Sequence, residues 1–78
     1  MKFFGYAQDH SDLLELSEVS LQASPDALLA MAAFLTETAH RMKTHGASFG
    51  HEHYQDWQSA TAQWPKMDGD FIIANEHQ

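Results

Sequence analysis

The sequence contains no cysteine and only four basic residues. Without cysteine, neither a disulfide framework nor a thiolate zinc site can form, so the fold must depend on its core alone. No run of residues approaches the roughly 20 apolar positions that a membrane span needs, and the N-terminus turns polar too early for a signal peptide. We therefore expect a cytoplasmic protein that does not bind membranes.

Acidic side chains outnumber basic ones by a wide margin. Eleven Asp and Glu stand against four Lys and Arg, which gives a formal net charge of −7 at pH 7. A field of this sign repels nucleic acid and attracts a basic protein. Six histidines can take up protons in mild acid. We expect a protein partner, no nucleic acid, and behaviour that changes between about pH 7 and 5.

The length of 78 residues predicts one globular domain, residues 1–78. A chain of this size buries only about 60% of its unfolded surface, which disfavours a deep active-site cleft. The sequence also lacks the G-x-S-x-G nucleophile motif and the G-x-x-x-x-G-K phosphate loop. We therefore expect a protein that is not an enzyme.

The first two thirds of the chain predict two strands and one long helix. Residues 2–6 and 13–23 read as strands that pair as a hairpin, the second with a bulge near Ser17. Ser24 then acts as a helix N-cap, and Gly46 ends a helix that runs to about residue 45. One stripe of this helix is expected to face the sheet, and Phe34 and Leu29 widen it: Leu28, Met31, Ala32, Leu35, Ala39 and Met42.

The last third predicts one or two further strands. Residues 49–57 alternate loosely, and residues 71–73 form a short apolar run after a turn signal. The order ββαββ indicates an α+β fold in which one long helix packs on one face of a mostly antiparallel, three- to four-stranded sheet. The other face of the sheet is then either exposed to solvent or covered by a partner. That partner is another protein or, in a homodimer, a second copy of the chain.

Two histidines one residue apart are candidate metal ligands. On a strand, His51 and His53 project to one side about 6 to 7 Å apart, so that both could hold one zinc-like ion together with Asp56. Glu52 and His45 are other candidates for the third ligand. In the alternative interpretation, these are polar residues on a solvated strand edge, or they serve in acid–base chemistry without a metal.

Aromatic and acidic side chains are candidates for a binding surface. Large aromatic residues beside polar groups are typical anchors of protein interfaces, which points to Tyr54, Trp57 and Trp64, with Asp56 among them. Glu15 and Glu18 lie in an acidic stretch that could contact a basic partner. The alternatives are that a tryptophan completes the core and that the acidic stretch is simply solvated.

Several segments in sequence order resemble one known family. The stretch ELSEVSLQASPDAL and the run H-G-x-x-F-x-H-x-H-x-x-D from His45 to Asp56 are similar to the immunity protein 32 family of bacterial polymorphic toxin systems. The resemblance implies neutralisation of a cognate toxin by binding, without catalysis. A small acidic binding protein is therefore the expected function, and a metal-binding domain built on His51, His53 and Asp56 is the alternative.

Overall fold

The computed structural model describes residues 1–61, 66 and 68–76. Its order of elements confirms the α+β class. The described residues contain two helices, four short strands and one 3₁₀ turn, Gly46–Ser48, which directly follows the long helix. The elements are β1 (Phe3–Gly5), β2 (Leu14–Leu16), α1 (Pro25–His45), β3 (His51–His53), α2 (Tyr54–Thr61) and β4 (Ile72–Ala74).

Helix α1 begins and ends where the sequence predicts. The Ser24 hydroxyl accepts a hydrogen bond from the backbone N–H of Ala27 at 3.1 Å, and Pro25 occupies the first turn, where no donor is lost. Gly46 has a φ of 54°, which glycine adopts readily, and its N–H donates to the carbonyl of Met42. Local capping chemistry therefore sets both ends of the helix.

The strands form two separate sheets, so the prediction of one three- to four-stranded sheet is only approximate. Strands β1 and β2 pair antiparallel with Phe3 opposite Leu16, and β3 pairs antiparallel with β4 with His53 opposite Ile72. The predicted second strand is also shorter, because the chain bends at Ser17 and residues 17–23 pair with no described strand. The bulge near Ser17 is therefore wrong.

Aromatic rings form the core, on one side of α1. Phe34 is fully buried, and its ring centroid lies 5.5 Å from those of both Tyr54 and Trp57 and 6.4 Å from that of Phe71. Ala30 completes the buried cluster, and Ala33 and Ile73 border it. The core thus joins α1, α2 and the segment around β4, and it contains no described side chain of the β1–β2 hairpin.

The buried face of α1 agrees with the predicted stripe only in part, at Met31 and Phe34. Ala30, Met31, Phe34 and Thr38 are buried, whereas Leu28, Ala32, Leu35 and Ala39 are exposed. The first half of the helix is apolar nearly all round, so residue spacing alone allows more than one orientation. The orientation in the structure buries Phe34, the largest apolar side chain of the helix, among three other rings.

The chain exposes more surface than a compact protein of its mass. Its accessible surface is 6335 Å², against roughly 4,800 Å² expected for a folded monomer of 8.8 kDa. The radius of gyration is 13.2 Å, against about 11.5 Å for a compact domain of this length. Both values describe a chain that is less compact than a typical domain of this length.

Candidate functional site

The N-terminal arm, residues 1–23, carries most of the exposed apolar side chains. Neither β1 nor β2 packs closely against a helix or against the other sheet within the described residues. Met1 is fully exposed. Seven other large apolar side chains of the arm are between 41% and 64% exposed: Phe3, Phe4, Tyr6, Leu13, Leu14, Val19 and Leu21. The arm is therefore an apolar hairpin and tail without a core beneath it.

Each face of the hairpin carries at least one large apolar side chain. Residues directly opposite each other in an antiparallel pair share a face, so Phe3 lies with Leu16 and Phe4 lies with Glu15. Leu16 covers Gly5, where an added Cβ would lie only 3.2 Å from the leucine Cδ1. A larger residue at position 5 would therefore require the leucine side chain to move by a few tenths of an ångström.

The acidic residues predicted for partner binding lie on this arm. Glu15 and Glu18 are both exposed, and Asp9 and Asp12 belong to the connecting loop. Lys2 lies 3.7 Å from Glu15, but both side chains are well exposed, so this ion pair is weak. The arm therefore combines exposed apolar side chains with negative charge.

The aromatic residues predicted for partner binding have a different position. Tyr54 is fully buried and Trp57 is only 6% exposed, because both pack on Phe34 in the core. The structure therefore corrects the expectation that these two rings lie on a surface. Asp56 is exposed on α2, and Trp64 lies outside the described residues.

A polar network joins the two helices to β3. The Trp57 indole N–H donates to the Glu37 carboxylate at 2.6 Å, and Arg41 lies 3.2 Å from the other oxygen of that carboxylate. Arg41 also lies 3.4 Å from Glu52 on β3. The spacing of Glu37 and Arg41 by four residues is a recognisable sequence signal, but nothing in the sequence links this pair to Trp57.

The two candidate metal-binding histidines do share one side of β3. The ring centroids of His51 and His53 are 5.2 Å apart, as the alternation of a strand requires. The structure does not bring Asp56 into a complete set with them. Within the described residues, no group of three or more His, Asp or Glu side chains has the arrangement to hold a metal ion.

His53 instead forms an ion pair with Asp70, a residue that the sequence does not single out. The His53 Nδ1–H donates to the Asp70 carboxylate at 2.5 Å, and this hydrogen bond raises the pKa of His53 above its usual 6.5 despite some loss of solvation. Burial raises the pKa of Asp70, but hydrogen bonds from His53 and from the backbone N–H groups of Gln55 and Phe71 outweigh it, and the net change is downward.

Asp70 also fixes the start of helix α2. Its carboxylate accepts a hydrogen bond from the Gln55 N–H at 3.2 Å and from the Phe71 N–H at 2.9 Å. The backbone N–H of Tyr54 donates to the carbonyl of Phe71 at 2.8 Å. The residues around Asp70 thus cap α2 from a distant part of the chain, and the His53 pair belongs to this structural junction.

Comparison with models of protein families, with curated proteins and with solved structures finds no match to this chain. No helix in the described part of the chain combines the length and the apolar character that crossing a bilayer requires.

Proposed function

We propose that this chain is a small acidic binding protein that neutralises a basic bacterial toxin by occupying its surface, without catalysis of its own. One observation carries the binding part of the proposal. The N-terminal arm exposes large apolar side chains on both faces of a two-stranded hairpin. The toxin as the partner follows from the resemblance to the immunity protein 32 family together with the charge of the chain.

The apolar side chains of the arm support a binding role because they are costly to leave in water. Monomeric proteins rarely expose contiguous apolar patches beyond a few hundred Å², and larger ones mark interaction sites. A lone two-stranded hairpin is only marginally stable in water. A partner that covers the arm would therefore stabilise both its pairing and its apolar surface.

The charge of the arm supports a basic partner. Asp9, Asp12, Glu15 and Glu18 lie among the apolar residues of the arm, against one lysine, Lys2, and one histidine, His10. Opposite charge on the partner accelerates encounter and disfavours acidic competitors.

The test is neutralisation of the toxic domain encoded by the neighbouring gene. Co-expression should restore growth, and the two purified proteins should form a complex whose affinity falls as salt is added. Leu14→Ser should weaken binding by roughly tenfold or more, because a leucine that a partner buries contributes about 1.5 to 3 kcal/mol.

Ile72→Ser is the matched control, because Leu14 and Ile72 are each 49% exposed and Ile72 lies outside the arm. This variant should bind like the unaltered protein. Equal losses for the two variants would show that the arm is not the binding surface. Absence of any complex at micromolar concentrations of folded protein would refute neutralisation by binding.

A metal-binding role is the second proposal, and the geometry of His53 favours it. With Nδ1 bonded to Asp70, the Nε2 atom of His53 is the nitrogen left to ligate an ion beside the ring of His51. A carboxylate that orients a histidine in this way is common around metal sites. Two histidines alone make an incomplete set, so the remaining ligands would come from water or from another molecule.

A further inference from the structure

Two histidine rings on β3 have the separation of two ligands on one metal ion. Zinc binds a histidine nitrogen at about 2.0 to 2.1 Å, which places the ion roughly 3.2 Å from the ring centroid. At a tetrahedral angle, two such rings have centroids about 5.2 Å apart. The centroids of His51 and His53 are 5.2 Å apart, closer than the roughly 6 to 7 Å between alternate positions along a strand. The two rings therefore lean toward each other by the amount that a shared ion requires.

Both rings can be reached from outside the chain. His51 is exposed, and the side chain of His53 retains 34% of its accessible surface. Asp70 holds the His53 ring through Nδ1, so Nε2, on the other side of the ring, is the ligating atom. A ligand pair at the surface with one ring already oriented is open to a second molecule.

The ligand set within one chain is half of what zinc needs. A closed structural zinc site has four ligands. In the part of the chain that the structure describes, no third His, Asp or Glu side chain joins the pair, and the sequence has no cysteine to supply a thiolate. A second copy related by a twofold axis offers the same two nitrogens, since such an interface repeats each contact. Two ligands from each of two chains make four.

We propose that a zinc ion on a twofold axis bridges two copies of this chain and is bound by His51 and His53 of each copy. The inference rests on the metal-binding role, the second function proposed above, and it names the source of the missing ligands. Neutral imidazole is a good ligand for zinc, which takes the tetrahedral arrangement without a geometric preference of its own. The binding of toxin by the arm uses other residues.

The charge of the chain favours a cation at this position. The negative charges of Glu52, Asp56 and Asp70 all act on His53, and each chain has a net charge of −7. Two such chains repel each other, and a divalent cation held between them offsets part of that repulsion. The dimer should therefore form only when the ion is present.

Sedimentation equilibrium and calorimetry of the metal-free chain test the inference, at about pH 7.5, since histidine must be unprotonated to ligate. With chelator the mass should be 8.8 kDa. Zinc should double it, with one ion bound per two chains. His51→Ala should stay monomeric, whereas His40→Ala, the same change at an exposed histidine of α1, should dimerise like the unaltered protein. Asp70→Asn should keep the stoichiometry but lower the zinc affinity by about tenfold to a hundredfold.

Cobalt in place of zinc reports the coordination directly. A tetrahedral Co²⁺ site absorbs visible light far more strongly than the hydrated octahedral ion, so this absorption should appear together with the dimer. One zinc ion per chain in a monomer would overturn the bridging inference and leave metal binding in place, whereas absence of zinc binding would refute both. A dimer that forms without zinc, or one that survives His51→Ala, would also overturn the inference. Toxin neutralisation by the arm is measured separately and can hold or fail independently.

Discussion

Replacing one phenylalanine in the core and one in the arm compares how much each part of the molecule contributes to the free energy of unfolding. Phe34 is fully buried and contacts three other aromatic rings, whereas Phe4 is 54% exposed on the hairpin. The same substitution, Phe to Leu, can be made at both sites. It removes an aromatic ring but keeps an apolar side chain, so that both variants should still fold.

The expected magnitude for Phe34→Leu follows from its ring contacts. Each aromatic pair contributes about 0.5 to 1.5 kcal/mol beyond its buried area, so the loss of three pairs costs roughly 2 to 4 kcal/mol. A domain of 78 residues has a total stability of about 4 to 12 kcal/mol. Phe34→Ala would cost about 3 to 5 kcal/mol, which approaches that total, and is therefore the less informative variant.

For Phe4→Leu, the expected cost is within about 0.5 kcal/mol, as for other surface substitutions. Urea unfolding followed by circular dichroism at 222 nm gives both free energies of unfolding, and the Tm should fall by about 4 to 8 °C for each kcal/mol in a domain of this size. Phe34→Leu should thus lower the Tm by roughly 10 °C or more. If Phe4→Leu is equally damaging, the arm belongs to the core and the argument for a free binding surface fails.

Three further predictions concern single hydrogen bonds and the histidine pair. Ser24→Ala removes the cap on the Ala27 N–H and should cost about 1 kcal/mol in urea unfolding; no loss would mean that Pro25 alone suffices. The raised pKa of His53 contributes stability that is complete below pH 6.5 and is lost as the pH rises through the folded pKa. The lowered pKa of Asp70 contributes stability that is present above pH 3.8 and is lost as the pH falls through the folded pKa. Asp70→Asn should therefore destabilise the protein most near about pH 5, measured as Tm against pH, and an unchanged profile would refute a role for the pair. If the metal proposal holds, calorimetric titration with zinc should give stoichiometric binding that His51→Ala abolishes; binding that survives His51→Ala would exclude this pair of ligands.

Helix α1 could be predicted from the sequence because its limits are set locally. Ser24 and Pro25 precede its first turn, Gly46 follows its last, and all of the hydrogen bonds that define these ends lie within four residues. Its length of 21 residues also gives a long apolar periodicity. Nothing distant is needed to place either end.

Helix α2 is the element that the sequence reasoning missed. Residues 54–57 were expected to continue a strand, but β3 ends at His53 and α2 begins at Tyr54. The residues before Tyr54 offer no local N-cap, since the cap is supplied by Asp70, far along the chain. The one local signal is the interval of three between Tyr54 and Trp57, which places both rings on one helical face.

The same distant junction explains why the aromatic binding surface could not be judged from sequence. Tyr54 and Trp57 suit an interface and a core equally well, because the sequence around them is compatible with either environment. The residue at which α2 starts decides whether the two rings face the core or the solvent. Once it is fixed by Asp70, the helix directs both rings onto Phe34, and Glu37 satisfies the indole N–H at the edge of the core.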